Sequence, residues 1–152
     1  MVVLAVVQHF AFSRLVILGA SPDILAVFIA FVSVFVGQRT GTTYGFAAGL
    51  IAGFLSGNIG LSALVGTVEG FTAGFFHVAE DSHSTSVKKR RMFYFASGTA
   101  LVAGNLLQAL LSDPLALPPY IRIPSMVVIG TMTSMVLTVL AYQLALKKFL
   151  RD

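Results

Sequence analysis

Cysteine is absent from the 152 residues. That excludes thiol nucleophiles, cysteine-ligated metals and disulfides, and leaves the redox compartment undetermined. Charge is scarce: Asp, Glu, Lys and Arg make up 11% of the chain against 57% hydrophobic residues, and the mean hydropathy is +0.90. Water-soluble domains carry about 25% charged residues, so the composition points to an integral membrane protein. At about 20 residues per crossing there is room for six spans and for no extramembrane part with a core of its own. Catalytic signatures are lacking too. Ser56 precedes Gly57 without a G-x-S-x-G elbow, and no glycine-rich loop ends in Gly-Lys-Ser/Thr. His9, His77 and His83 show no metal-ligand spacing with an acidic partner. Glu80 and Asp81 are adjacent on a polar loop, where solvation is their ordinary role. The expectation is a protein that is not an enzyme and needs neither cofactor nor metal.

What is abundant is glycine at a fixed interval. Gly41, Gly45, Gly49, Gly53 and Gly57 succeed one another every four residues, with Gly37 ahead of them. The next segment repeats the spacing with Ser62, Gly66, Gly70 and Gly74. Each interior glycine costs a helix about 1 kcal/mol against alanine, so a soluble helix would not carry the pattern. In lipid there is no hydrophobic drive for helices to associate, and contact depends on backbones approaching over small residues. Four residues turn a helix by about 400°, so Gly41 to Gly53 sweeps a sector of about 120°, wide enough for two neighbours. The expected helix-packing residues are Gly41, Gly45, Gly49, Gly53, Gly66, Gly70 and Gly74.

The remaining pattern places six spans in a single membrane domain, at about 2–18, 22–38, 41–56, 61–77, 92–111 and 126–146. The first is read as a mature helix and not a signal peptide, because it lacks a basic n-region and Arg14 interrupts it. Ser21-Pro22-Asp23 reads as a helix start, with Ser21 as N-cap and Pro22 at the first helical position. Arg39 falls in the tight connection before the glycine helix. Residues 77–91 form the one strongly polar loop, and 112–125 a proline-rich connection. Arg39, the run Lys88-Lys89-Arg90-Arg91, and Lys147, Lys148 and Arg151 then share one side of the membrane. The positive-inside rule makes that side cytoplasmic, together with both termini. The basic run is expected on anionic lipid headgroups. The net charge of +4 does not indicate nucleic acid, since no aromatic interleaving accompanies the run.

Arg14 and Glu69 are the ionisable residues well inside spans, where an unpaired charge costs at least a few kcal/mol. Counted from the outer face their depths differ by about 6 Å, so they form a candidate ion pair if spans one and four are neighbours. The alternatives are a neutral Glu69 hydrogen-bonded to span five, and a proton- or ligand-handling site. Asn105 and Gln108 on span five, and Thr131, Ser134 and Thr138 on span six, read as interhelical hydrogen-bonding groups in preference to a small polar pocket.

The order of these features resembles the rod shape-determining MreD family. The resemblance rests on Ser21-Pro22-Asp23 before an apolar span, then Gly37, then GTTYGFAAGLIAGFLSGNIGLSALVGTVEGFTAG from Gly41 to Gly74. One departure is Gly53, where the family commonly has an aspartate. The resemblance implies a six-transmembrane-helix bundle similar to the substrate-binding subunits of energy-coupling-factor transporters. It also implies a non-catalytic subunit of the cell-elongation complex in the bacterial cytoplasmic (inner) membrane. Such a subunit binds MreC and so joins MreB filaments to the peptidoglycan synthases RodA and PBP2. On the proline-rich connection Leu115, Leu117, Tyr120 and Ile121 are candidate partner-docking residues. The alternative reading is a vitamin-binding subunit of an energy-coupling-factor transporter, with an outward-open pocket using Glu69, Asn105 and Gln108.

Overall fold

The computed structural model describes residues 1–12, 22–78, 86–112 and 118–143. Among them the fold is all-α. Helix α1 (Val2–Val7) runs into a π-helical segment, Gln8–Phe12. Then follow α2 (Ile24–Val36), α3 (Gln38–Ser56), α4 (Ile59–Gly74), α5 (Ser86–Leu111) and α6 (Pro119–Ala141).

Helix α2 begins later than its sequence suggests. Asp23, not Ser21, is the N-cap: its backbone is extended and its side chain accepts from the Ala26 N–H at 2.9 Å. A carboxylate there satisfies an orphan donor and faces the positive end of the helix dipole. Pro22 therefore lies before the helix rather than in its first turn. Gly37, with φ 117°, breaks α2 from α3. Helix α3 restarts at once, so Arg39 lies in its first turn and not in a connection. Gly57, at φ 76°, closes α3 in the left-handed conformation that glycine adopts without steric cost. The basic run is not in a loop either: α5 begins at Ser86, so Lys88 to Arg91 are helical. Helix α6 begins at Pro119, because Pro118-Pro119 presets the backbone angle of a first turn. The proline-rich connection is shorter than 112–125 by that much.

The expected six transmembrane spans are not what the structure shows. Among the described residues only Val87–Leu111 and Pro119–Leu140 are long and apolar enough to cross a membrane. Helices α2 and α4 are apolar but have 13 and 16 residues, or about 20 and 24 Å, against a hydrocarbon core of about 30 Å. Helix α3 has 19 residues, but it opens on the polar Gln38-Arg39-Thr40. The Asp23 cap and the breaks at Gly37 and Gly57 cut the apolar runs short.

The interior is built from small side chains. Ala30, Val34, Ala73, Ala96 and Ala100 join α2, α4 and α5, while Ala5, Leu25, Ile29 and Ala48 join α1, α2 and α3. Phe93, Ile29 and Leu101 are the large apolar side chains buried among them, while many others point outward. Val128, Met132 and Val136 are exposed at four-residue intervals on α6, as are Val102, Leu106 and Leu110 on α5. Small residues inside and bulky ones outside suit a protein whose surroundings are apolar.

Candidate functional site

Helices α3 and α4 touch backbone to backbone. A Cβ on Gly45 would meet the Gly66 carbonyl, and one on Gly66 would meet the Gly45 carbonyl. Gly49 lies against the Ser62 carbonyl and the Ala63 Cα, and Gly70 against the Gly41 carbonyl. Gly53 packs on Ile59 at the turn, and Gly74 on Gln38, whose Nε2 donates to the Phe71 carbonyl at 3.2 Å. Gly41 also faces α2: a Cβ there would overlap Ser33, whose Oγ donates to the carbonyls of Ile29 (2.8 Å) and Gly70 (3.1 Å). One buried hydroxyl thus ties α2, α3 and α4 together.

At the Asp23 end of the bundle these bare backbones form the floor of a cavity of about 220 Å³. Its polar lining comes from Gln8, His9, Asp23, Glu69, Asn105 and Gln108, and its apolar lining includes Leu25, Ile29, Val65 and Met126. Gly49 and Gly66 contribute no side chains to fill it. Asp23 is well held. Its carboxylate accepts from Ala26 and from the Gln8 side chain, its own N–H donates to Ser134 Oγ at 2.9 Å, and Gln8 Oε1 accepts from the Leu25 N–H at 2.9 Å.

Glu69 is held differently. It is 4% exposed and lies over Gly104 of α5, where a Cβ would meet its carboxylate. Its carboxylate has no hydrogen-bond or ion-pair partner among the described residues, and it is close enough to Asp23 for their charges to interact. Asn105 sits on α6 by the same device: it packs over Gly130, and its Nδ2 donates to Thr131 Oγ1 at 3.5 Å. Thr138 bonds within its own helix, to the Ser134 carbonyl.

The structure therefore brings Glu69, Asn105 and Gln108 together and adds Asp23, Gln8 and His9 to them. Asp23 reads from sequence as a helix-start residue, and nothing in the linear pattern tells that its carboxylate shares a space with Glu69. Arg14, the candidate partner of Glu69, lies outside the described residues, as do Leu115 and Leu117. Tyr120 and Ile121 are exposed in the first turn of α6.

The basic run Lys88 to Arg91 lies at the opposite end. Lys88 and Arg91 border a groove of about 730 Å³ with Phe75, Phe76, His77 and Phe95. The Arg91 guanidinium stands 5.5 Å from the Phe95 ring centre, within cation–π range. Lys88, Arg90 and Arg91 are exposed and Lys89 is half-buried. The groove is closed on one side where the Val34 carbonyl accepts from His77 Nδ1 (2.9 Å) and from the Val78 N–H (3.0 Å).

Among the described residues no group of three His, Asp or Glu is placed to hold a metal ion. Comparison of the chain with protein-family models, with curated proteins and with solved structures gave no match.

Proposed function

We propose that the protein is a non-catalytic scaffold subunit of the bacterial cell-elongation complex, binding MreC and through it linking MreB to RodA and PBP2. The observation that carries the reading is the α3–α4 contact. The stretch from Gly41 to Gly74, which bears the resemblance to MreD, is the stretch in which two helices meet over bare backbone. Such a contact produces a rigid block with large apolar side chains turned outward, a form suited to docking other membrane helices. Tyr120 and Ile121 are available for a partner at the Asp23 end. The protein resides in the cytoplasmic membrane as a multi-pass protein. Two helices of crossing length support this, and the gathering of Arg39 and Lys88 to Arg91 at one end supports a cytoplasmic placement of that end. The test is co-expression with MreC and purification in mild detergent. MreC co-purifies with the wild type, less with Tyr120→Ala, and not with Gly45→Leu. Recovery with ATPase subunits and without MreC overturns the reading.

A second reading, a vitamin-binding subunit of an energy-coupling-factor transporter, is favoured by one observation. The cavity contains the three residues such a pocket would use, Glu69, Asn105 and Gln108.

A further inference from the structure

We propose that the cavity at the Asp23 end is a binding site for a small organic ammonium ion, with Glu69 as its counter-charge. The inference rests on the small-molecule reading only in that the cavity takes a ligand, and it requires no transporter.

Two independent observations lead to it. The first is a formed space of about 220 Å³ between the helices, floored by the bare backbones of Gly49 and Gly66. A cavity of about 150 Å³ holds benzene, so this one accommodates roughly ten non-hydrogen atoms. The second is the state of Glu69. It is more than nine-tenths buried, borders the space, and has no hydrogen-bond or ion-pair partner among the described residues. A buried carboxylate without a partner is costly; the cost is relieved by taking up a proton or by an ion of opposite charge that also donates hydrogen bonds, and only the ion also fills the space.

The lining selects the kind of cation. Asp23 supplies a second negative charge, already fixed by Ala26 and Gln8. Gln108 adds a further side-chain amide to the lining, whose carbonyl oxygen can accept from an N–H donor. Ile29, Val65 and Met126 form an apolar wall facing these groups. A metal ion is poorly served, since the described residues include no converging set of three ligands and an apolar wall offers it nothing. An anion would meet two carboxylates. A compact alkylammonium matches both halves: its head lies between Glu69 and Asp23, and its hydrocarbon part on the wall.

The experiment uses the full chain purified in mild detergent and three probes of nearly one shape: cyclohexylmethylamine, cyclohexylmethanol and cyclohexanecarboxylate. Thermal unfolding is followed as each is titrated. The expected result is saturable stabilisation by the amine alone. Glu69→Gln keeps the side-chain volume, and Asp23→Asn keeps a capping acceptor; each raises the half-saturating amine concentration at least tenfold. Equal stabilisation by the alcohol, or stabilisation by the carboxylate, sinks the ammonium assignment while leaving a small-molecule site. An amine response unchanged in both variants places the binding elsewhere and also sinks it. Silence from all three probes overturns both the inference and the small-molecule reading.

Discussion

Gly104 lies directly beneath the carboxylate of Glu69, so that a methyl group at position 104 would meet Oε1 and approach Cδ and Cγ to 2.9 Å. The missing side chain on α5 is what lets an acidic side chain from α4 reach the space between the helices. The same exchange recurs between α5 and α6, where Gly130 makes room for Asn105. Glycine thus has two uses in this fold. Along α3 and α4 it brings backbones together, and at Gly104 and Gly130 it admits a polar side chain from the neighbour.

The two uses predict different responses to one added carbon. In Gly104→Ala the obstacle is the far end of a flexible side chain beside an open cavity, and Glu69 swings aside. The expected loss is below about 1 kcal/mol, less than the usual 1–3 kcal/mol of overpacking. Thermal unfolding in detergent measures it. A loss as large as that of the α3–α4 variants below contradicts the explanation, since it would mean that Glu69 has nowhere to go.

Between α3 and α4 the obstacle is backbone. Gly45→Ala and Gly66→Ala each drive a methyl into the opposing carbonyl, and two helices must separate to relieve it. Each is expected to cost about 1–3 kcal/mol. Gly60 is the internal control. It lies in the same helix as Gly66, and a Cβ there meets nothing within 4 Å. Gly60→Ala is expected to stabilise by about 0.4–1 kcal/mol through the unfolded chain. Similar midpoints for Gly60→Ala and Gly66→Ala would refute the packing argument.

How much of this was legible in the sequence follows from the range of the forces involved. The four-residue interval of Gly41 to Gly53 encodes a face, and an answering interval from Ser62 to Gly74 encodes its partner, so the α3–α4 contact was readable. The lengths of the helices were not. An apolar run looks the same whether it continues or stops, and the stops here depend on Asp23, and not Ser21, capping α2 through the Ala26 N–H, and on one φ angle at Gly37. Six crossings read from hydropathy became two helices of crossing length among the described residues, and the short α2 has that reason. Glu69, Asn105 and Gln108 stood out as polar groups in apolar surroundings. That they meet Asp23 depends on how α2 sits against α4, α5 and α6, which no local pattern specifies.

Asp23 carries two duties that substitutions separate. As N-cap it accepts from Ala26, and through its own N–H it binds Ser134 on α6. Asp23→Ala is expected to cost about 1 kcal/mol of stability, the usual loss of an N-cap, whereas Asp23→Asn is expected to cost only a few tenths because asparagine caps as well. Equal losses in the two variants would show that the charge, and not the cap, is what stabilises α2. Ser134→Ala removes only the acceptor for the Asp23 N–H and is expected to lie between them.

Ser33 offers the sharpest test of the three-helix junction. Its hydroxyl is fully buried, donates to Ile29 and to Gly70, and presses on Gly41. Ser33→Ala removes the bond to α4 without adding volume, and the expected loss is about 1 kcal/mol. Ser33→Val adds a second branch against the Gly41 backbone and should cost more, about 1–3 kcal/mol beyond the lost bond. In the Gly41→Ala background the two costs should cease to add, because that variant already forces α2 and α3 apart. A double-mutant cycle read by thermal unfolding decides the point. Strict additivity of Ser33→Val with Gly41→Ala would mean that these residues do not share the contact on which the α2–α3–α4 block depends.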